Sequence, residues 1–201
     1  MTGPPPPGWP GGSPPRRRRK RRVLVVTLVV VATLLLLVGV GGVLAAPTVR
    51  DVARDQTVRT TLPAEAGGLS KGDDATVLAE LDGIDLASFD TPVKGYYEDD
   101  ARPIVVWGGT GLMLLLDRQM DDFFKTVEDE GDPVSRRTAV SPGRVGGRLE
   151  CAAMKTADGT NGLCVWMNHG ALLAFLSPDR LPPTTAGNQV VRMLPDMVHR
   201  A

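Results

Sequence analysis

The chain has 201 residues, about one domain's worth. Its formal charge is zero, 23 Lys+Arg against 23 Asp+Glu, yet seven of the basic residues form one run, Arg16, Arg17, Arg18, Arg19, Lys20, Arg21 and Arg22, leaving 16 against 23 elsewhere. A nucleic-acid binder needs basic residues spread over a folded face. Here the remainder is acidic, which argues against that class, and the uneven composition excludes a single soluble globule.

Residues 1–15 hold seven Pro, four Gly and one aromatic, Trp9. No apolar face forms there to offset the entropy of ordering, so the stretch reads as a disordered, solvated tail. Its Pro-x-x-P spacing also suits a polyproline II ligand. From Val23 to Ala46 there are 24 residues without a charge, 19 of them apolar. As a helix they span roughly 36 Å, enough to cross a hydrocarbon core of about 30 Å, and they read as one transmembrane helix. The basic run abuts its N-terminal end, whereas Arg50 and Arg54 beyond it are offset by Asp51 and Asp55. Positive residues stay inside, so the N-terminus is expected in the cytoplasm and residues 47–201 outside. The expected partners are the bilayer along 23–46 and anionic lipid head groups at the basic run.

Rival readings fit this segment less well. Its apolar core is too long for a cleaved signal peptide, although Val43-Leu44-Ala45 is a passable cleavage sequence. Lys20-Arg21-Arg22-Val23-Leu24 resembles part of a twin-arginine export signal, but a run of seven basic residues matches almost any basic pattern. No Cys follows to carry a lipid. Gly41 with Ala45 and Gly42 with Ala46 form small-xxx-small pairs, which leave a homo-oligomer open.

Residues 47–62 are polar without a sustained period and read as a juxtamembrane spacer, with a folded domain expected over 63–201. A helix is predicted near Asp74–Leu81 and strands near Val93–Tyr97 and Arg102–Trp107, the second stopping at Gly108-Gly109-Thr110-Gly111. Met120, Phe123, Phe124 and Val127 fall at i, i+3, i+4 and i+7, predicting a helix over Asp117–Glu130 capped by Asp117 and ended by Gly131 and Pro133. Its other face, Asp121, Asp122, Lys125, Glu128 and Asp129, reads as solvated. Short strands follow near Ser135–Val140, Gly147–Met154, Leu163–Met167 and Ala171–Leu176. A last helix from about Thr184 packs Val190, Val191, Leu194, Met197 and Val198, with a kink expected at Pro195. Strands between helices without regular βαβ alternation predict an α+β fold, one antiparallel sheet covered by helices.

Cys151 and Cys164 are the only cysteines, and both fall on the expected exported side, where disulfides persist. They flank the turn-rich Asp158-Gly159-Thr160-Asn161-Gly162, so they are expected to face each other across a hairpin and to pair. A two-residue turn at Asp158-Gly159 would set Cys151 opposite Trp166, so this pairing calls for a longer or bulged connection.

These pieces together resemble an actinobacterial (high-GC Gram-positive) family of single-pass membrane proteins of unknown function with a two-cysteine extracytoplasmic domain. The resemblance rests on the Pro/Gly tail, the basic run and single span, then Pro63-Ala64-Glu65-Ala66-Gly67-Gly68-Leu69. It continues through Gly108 to Gly111, Gly146-Gly147 before Cys151, and Cys164-Val165-Trp166 with Asn168 two positions on, where the family prefers Asp. It covers most of residues 63–198 and implies no particular chemistry. A GC-rich source agrees with 18 Arg to 5 Lys and only two Ile.

Residues that could support catalysis are few and poorly placed. Gly68-Leu69-Ser70-Lys71-Gly72 matches the Gly-x-Ser-x-Gly elbow, but that motif needs a strand entering and a helix leaving a strained turn. Residues 63–67 do not read as a buried strand, so a flexible loop is expected. Cys151, Cys164, His169 and His199 are ligand types that suit zinc, at a spacing that matches no standard site. His169, in Asn168-His169-Gly170, reads as a turn residue. The carboxylates at Glu98–Asp100 and Glu128–Asp132 lack calcium-loop spacing, and Gly108–Gly111 lacks the ending of a phosphate-binding loop. No catalytic residue, cofactor or metal is therefore assigned. The expectation is an anchored envelope protein whose outer domain binds a protein partner or an envelope ligand. The alternative is an envelope hydrolase or thiol enzyme using Ser70, or Cys151 and Cys164 with His169.

Overall fold

A computed structural model describes residues 52–99, 102–135, 137–156, 159–177 and 181–200, all within the compact unit Thr48–Ala201. The proline-rich tail, the basic run and the apolar stretch 23–46 lie outside the described residues. Among the described residues no helix is long and apolar enough to cross a membrane.

A helical segment, α1, is described over residues 52–55. It is followed by β1 (Val58–Thr60), β2 (Glu65–Ala66), β3 (Leu69–Lys71), α2 (Ala75–Leu81), β4 (Thr91–Asp99) and β5 (Arg102–Thr110). Then come α3 (Leu116–Asp129), β6 (Thr138–Val140), a 3-10 turn at Gly143–Val145, β7 (Arg148–Thr156), β8 (Gly159–Met167), β9 (Ala171–Ser177), α4 (Pro183–Met197) and β10 (Val198–Arg200). Eight strands form one antiparallel sheet in the order β2-β3-β4-β5-β9-β8-β7-β6, and β1 pairs with β10 in a separate two-stranded sheet. The fold is α+β, a large antiparallel sheet with helices packed on it. Two meanders, β2 to β5 and β6 to β9, meet where β9 pairs with β5.

The period-2 alternation along the central strands sends side chains to two cores. On one face Leu149, Cys151, Cys164, Trp166, Leu173 and Phe175 pack against Val190, Met193, Leu194 and Met197 of α4. On the other Ala152, Met154, Leu163, Val165, Met167 and Ala174 pack against Met120 and Phe124 of α3. Residues 162–168 are therefore buried without interruption, the pattern of a strand covered on both sides.

Several expectations change. The stretch read as a spacer contains α1 and β1, and Val58 and Thr60 are each 4% exposed, because β10 supplies a partner strand from the far end of the chain. Residues 65–71, expected as a loop, form a tight hairpin, with Gly67 and Gly68 supplying the two positive φ angles its turn requires. β5 runs on to Thr110 through Gly108 and Gly109. A Cβ on Gly108 would lie 2.1 Å from the Leu172 carbonyl oxygen, so glycine here is what lets β9 close on β5 rather than what ends the strand. α3 begins one residue early with Leu115 in the N-cap position and no side-chain cap. Asp117 sits in its first turn and forms an ion pair with Arg148. In α4, Pro195 lies inside the helix, which ends at Met197, so Val198 belongs to β10. α2 begins one residue later than predicted, with Asp74 as its N-cap accepting from the Thr76 N–H at 2.7 Å.

Candidate functional site

Cys151 and Cys164 are disulfide-bonded, facing each other across β7 and β8 with 4.0 Å between their Cα atoms. The connection is neither longer nor bulged. Pairing continues to Thr156↔Gly159, which leaves only residues 157 and 158 between the strands, one position earlier than an Asp158-Gly159 turn. Both cysteines are buried, and a Cβ on Gly187 of α4 would lie 3.1 Å from the Cys151 sulfur. The bridge is covered by α4 and has no exposed sulfur.

Ser70 is exposed within β3, opposite Glu65 and Glu98 in register, and is not at a strand-to-helix elbow. Strands β4, β5 and β9 separate β3 from β8, about 19 Å at the usual strand spacing. His169 occupies the β8–β9 turn. Its Nδ1 lies 2.7 Å from the Met113 carbonyl oxygen, and its own N–H donates to Asp55 Oδ2 at 3.2 Å. Its carbonyl oxygen accepts from both Gln56 Nε2, at 2.7 Å, and the Met113 N–H, at 3.0 Å. Asn168, 1% exposed, turns the same hairpin by accepting from the Gly170 N–H at 2.9 Å. His199 is exposed on β10, in register with Arg59. Ser70, the disulfide and His169 thus occupy separate places. Among the described residues no three His, Cys, Asp or Glu side chains gather in a metal-holding group.

The geometry instead points to the α3 face of the sheet. A groove of about 780 Å³ runs between α3 and the 83–89 loop, with Trp107 and Leu172 on its floor. Phe123 and Val127, expected to be core, are only half-buried and form one wall with Gln119 and Thr126, while Met120 and Phe124 take the core. Ile84, Leu86 and Phe89 form the other wall. Asp85, Asp122 and Glu130 are its charged residues, and no Lys, Arg or His is among the described residues that line it. Asp122 is 3.8 Å from Arg118, an exposed pair that offsets little of its field. A smaller groove of about 550 Å³ is lined by threonines of β1, β4 and β5 and by residues flanking those strands, with no aromatic among the described residues that line it. Concave sites with apolar floors and few polar groups are the ones that hold ligands.

At one end of the large groove Leu112, Leu114 and Leu115 are 57%, 59% and 60% exposed, while Met113 between them is buried. No expectation from the sequence fell on this loop. The signal was available as five consecutive apolar residues, Leu112 to Leu116, before the helix and after the glycines.

Among the described residues two titrating groups are perturbed. Burial, then the nearby Asp196 carboxylate, pushes the Tyr97 phenol up to about 12. It is fully buried on the α4 face and donates to the Pro63 carbonyl at 2.8 Å. The Thr76 backbone N–H holds Asp74 below its ordinary value, assisted by the Thr76 side chain and the Val77 N–H.

Comparison with protein-family models, with curated proteins and with solved structures returns no match to this chain.

Proposed function

We propose that the chain is a single-pass envelope protein, anchored through residues 23–46 with its N-terminus inside, whose outer domain binds a partner protein in the α3 groove without catalysis. The observation that carries the reading is the groove itself, an aromatic and aliphatic floor with only acidic charges among the described residues that line it. Such a lining favours an extended or helical segment with an apolar face flanked by Lys or Arg. The dispersal of Ser70, His169 and the paired cysteines supports binding over nucleophilic catalysis. The membrane anchor rests on the 24 uncharged residues and the adjoining basic run.

Site-specific photocrosslinking of the full chain in its native membrane tests this. A photoreactive residue at Thr126 is expected to capture one protein species, and Phe123→Glu in the same chain to abolish the capture. Equal capture from Ser70, on β3 outside the groove, or capture indifferent to Phe123→Glu, would overturn the reading.

A further inference from the structure

We propose that the 111–115 loop is a membrane contact, with Leu112, Leu114 and Leu115 entering the outer layer of the same bilayer that residues 23–46 cross. The proposal rests on the anchored reading above and adds how the domain is held against the surface.

The first support is the form of the loop. Three leucines more than half exposed lie within four residues, the only large hydrophobic side chains so exposed among the described residues. Exposed apolar clusters of this kind mark interaction sites. The loop supporting them is held in place. Gly111 donates to the Gly170 carbonyl at 3.0 Å and Met113 to the His169 carbonyl at 3.0 Å, while the Met113 carbonyl contacts His169 Nδ1 and its side chain is buried. Fixing Met113 inward leaves its neighbours outward.

The second support is where the chain enters the domain. Gln56 Nε2 and the Met113 N–H donate to the same His169 oxygen, and Asp55 accepts from the His169 N–H. A Cβ on Gly170 would lie 1.9 Å from the Asp55 carbonyl oxygen, so this hairpin is shaped to let residue 55 approach. The entry segment and the leucine loop are thus pinned to one turn. Val52 is six residues beyond Ala46, a reach of at most about 20 Å even fully extended. A bilayer crossed by 23–46 would be tethered within that distance of the entry segment, to whose turn the leucine loop is also bonded.

The bilayer fits this patch better than a second copy does. A standard protein interface takes about 800 Å² from each partner, far more than three leucine side chains supply. A tethered contact needs much less, because the tether makes the second association intramolecular.

The test uses the full chain carrying a nitroxide on Leu114→Cys, in vesicles of phosphatidylcholine and phosphatidylglycerol. The native cysteines are paired, so the label is single. Leu36→Cys marks the span. Asp129→Cys marks the far end of α3, a helix of 14 residues and so about 21 Å long. The label at 114 is expected to be relaxed by dissolved oxygen several-fold more than by a water-soluble nickel chelate present on both sides, as at 36 and opposite to 129. Relaxation at 114 matching 129 while 36 stays in the acyl layer would overturn this inference and leave the anchor standing. Water exposure at 36 as well would overturn both.

Discussion

The two faces of the central sheet are covered in different ways. On one, α4 crosses the strands and packs Val190, Met193, Leu194 and Met197 over Trp166, Leu173 and the Cys151–Cys164 bridge. On the other, α3 covers β7 to β9 with Met120 and Phe124, and the space between it and the 83–89 loop stays open above Trp107. The same strands supply both faces, so strand composition does not account for the difference. It comes from helix placement. A closed face contributes stability, and an open apolar one is available to a partner.

Substitutions that remove buried volume on the closed face should have the largest effect. Trp166→Ala is expected to cost about 3–5 kcal/mol, since the ring is 0% exposed and its Nε1 donates to the Gly146 carbonyl at 2.8 Å. Urea unfolding in mild detergent would measure it, and a loss under 1 kcal/mol would mean that this face is not the main core. Replacing both cysteines by alanine should cost about 3 kcal/mol, the value for a loop of this length, in the same assay.

Tyr97→Phe should cost about 1 kcal/mol by stranding the Pro63 carbonyl. It also carries a pH signature. The folded-state phenol is raised from 10.0 to about 12, so its contribution is intact below 10 and is lost as pH rises toward 12. Wild type should weaken over that window and Tyr97→Phe should not show this component. On the open face, Leu112→Ser, Leu114→Ser and Leu115→Ser should each change stability by no more than about 0.5 kcal/mol. A large loss from any of them would show the leucines to be part of the fold rather than a contact surface.

The smallest expected effect is at Asp74. Its carboxyl is held below 3.8, so its cap on α2 is present above that value and is lost as pH falls through the folded-state value. Asp74→Asn should remove that component of the acid dependence in thermal melts, and an unchanged acid profile would remove the carboxylate from the account of α2.

Much of the domain was legible from local signals. The α3 segment follows from its 3.6 period and its Gly131 and Pro133 ending, and α2, the five long strands and the α+β class were also placed from local sequence. The cysteine pairing followed from two residues flanking one turn. What was missed has a common cause. β1, β2, β3 and β10 are two or three residues long, too short for a period, and are strands because of what lies beside them. Phe123 and Val127 share the apolar stripe of Met120 and Phe124, and a stripe does not reveal how much of it a neighbour covers. The groove was therefore invisible, as was the meeting of residues 55, 113 and 169, which are distant along the chain.

The sequence by itself determined the charge asymmetry, the uncharged stretch of membrane-spanning length, the α+β class and the cysteine pair, because each depends on neighbours within about 20 residues or on composition. Only the tertiary structure decided that the first and last strands of the described domain share a sheet, that β9 joins the meanders, and that one face is closed while the other keeps a groove beside exposed leucines. These are contacts between residues far apart in sequence. They follow from how the elements pack to bury apolar surface, and no local pattern encodes them.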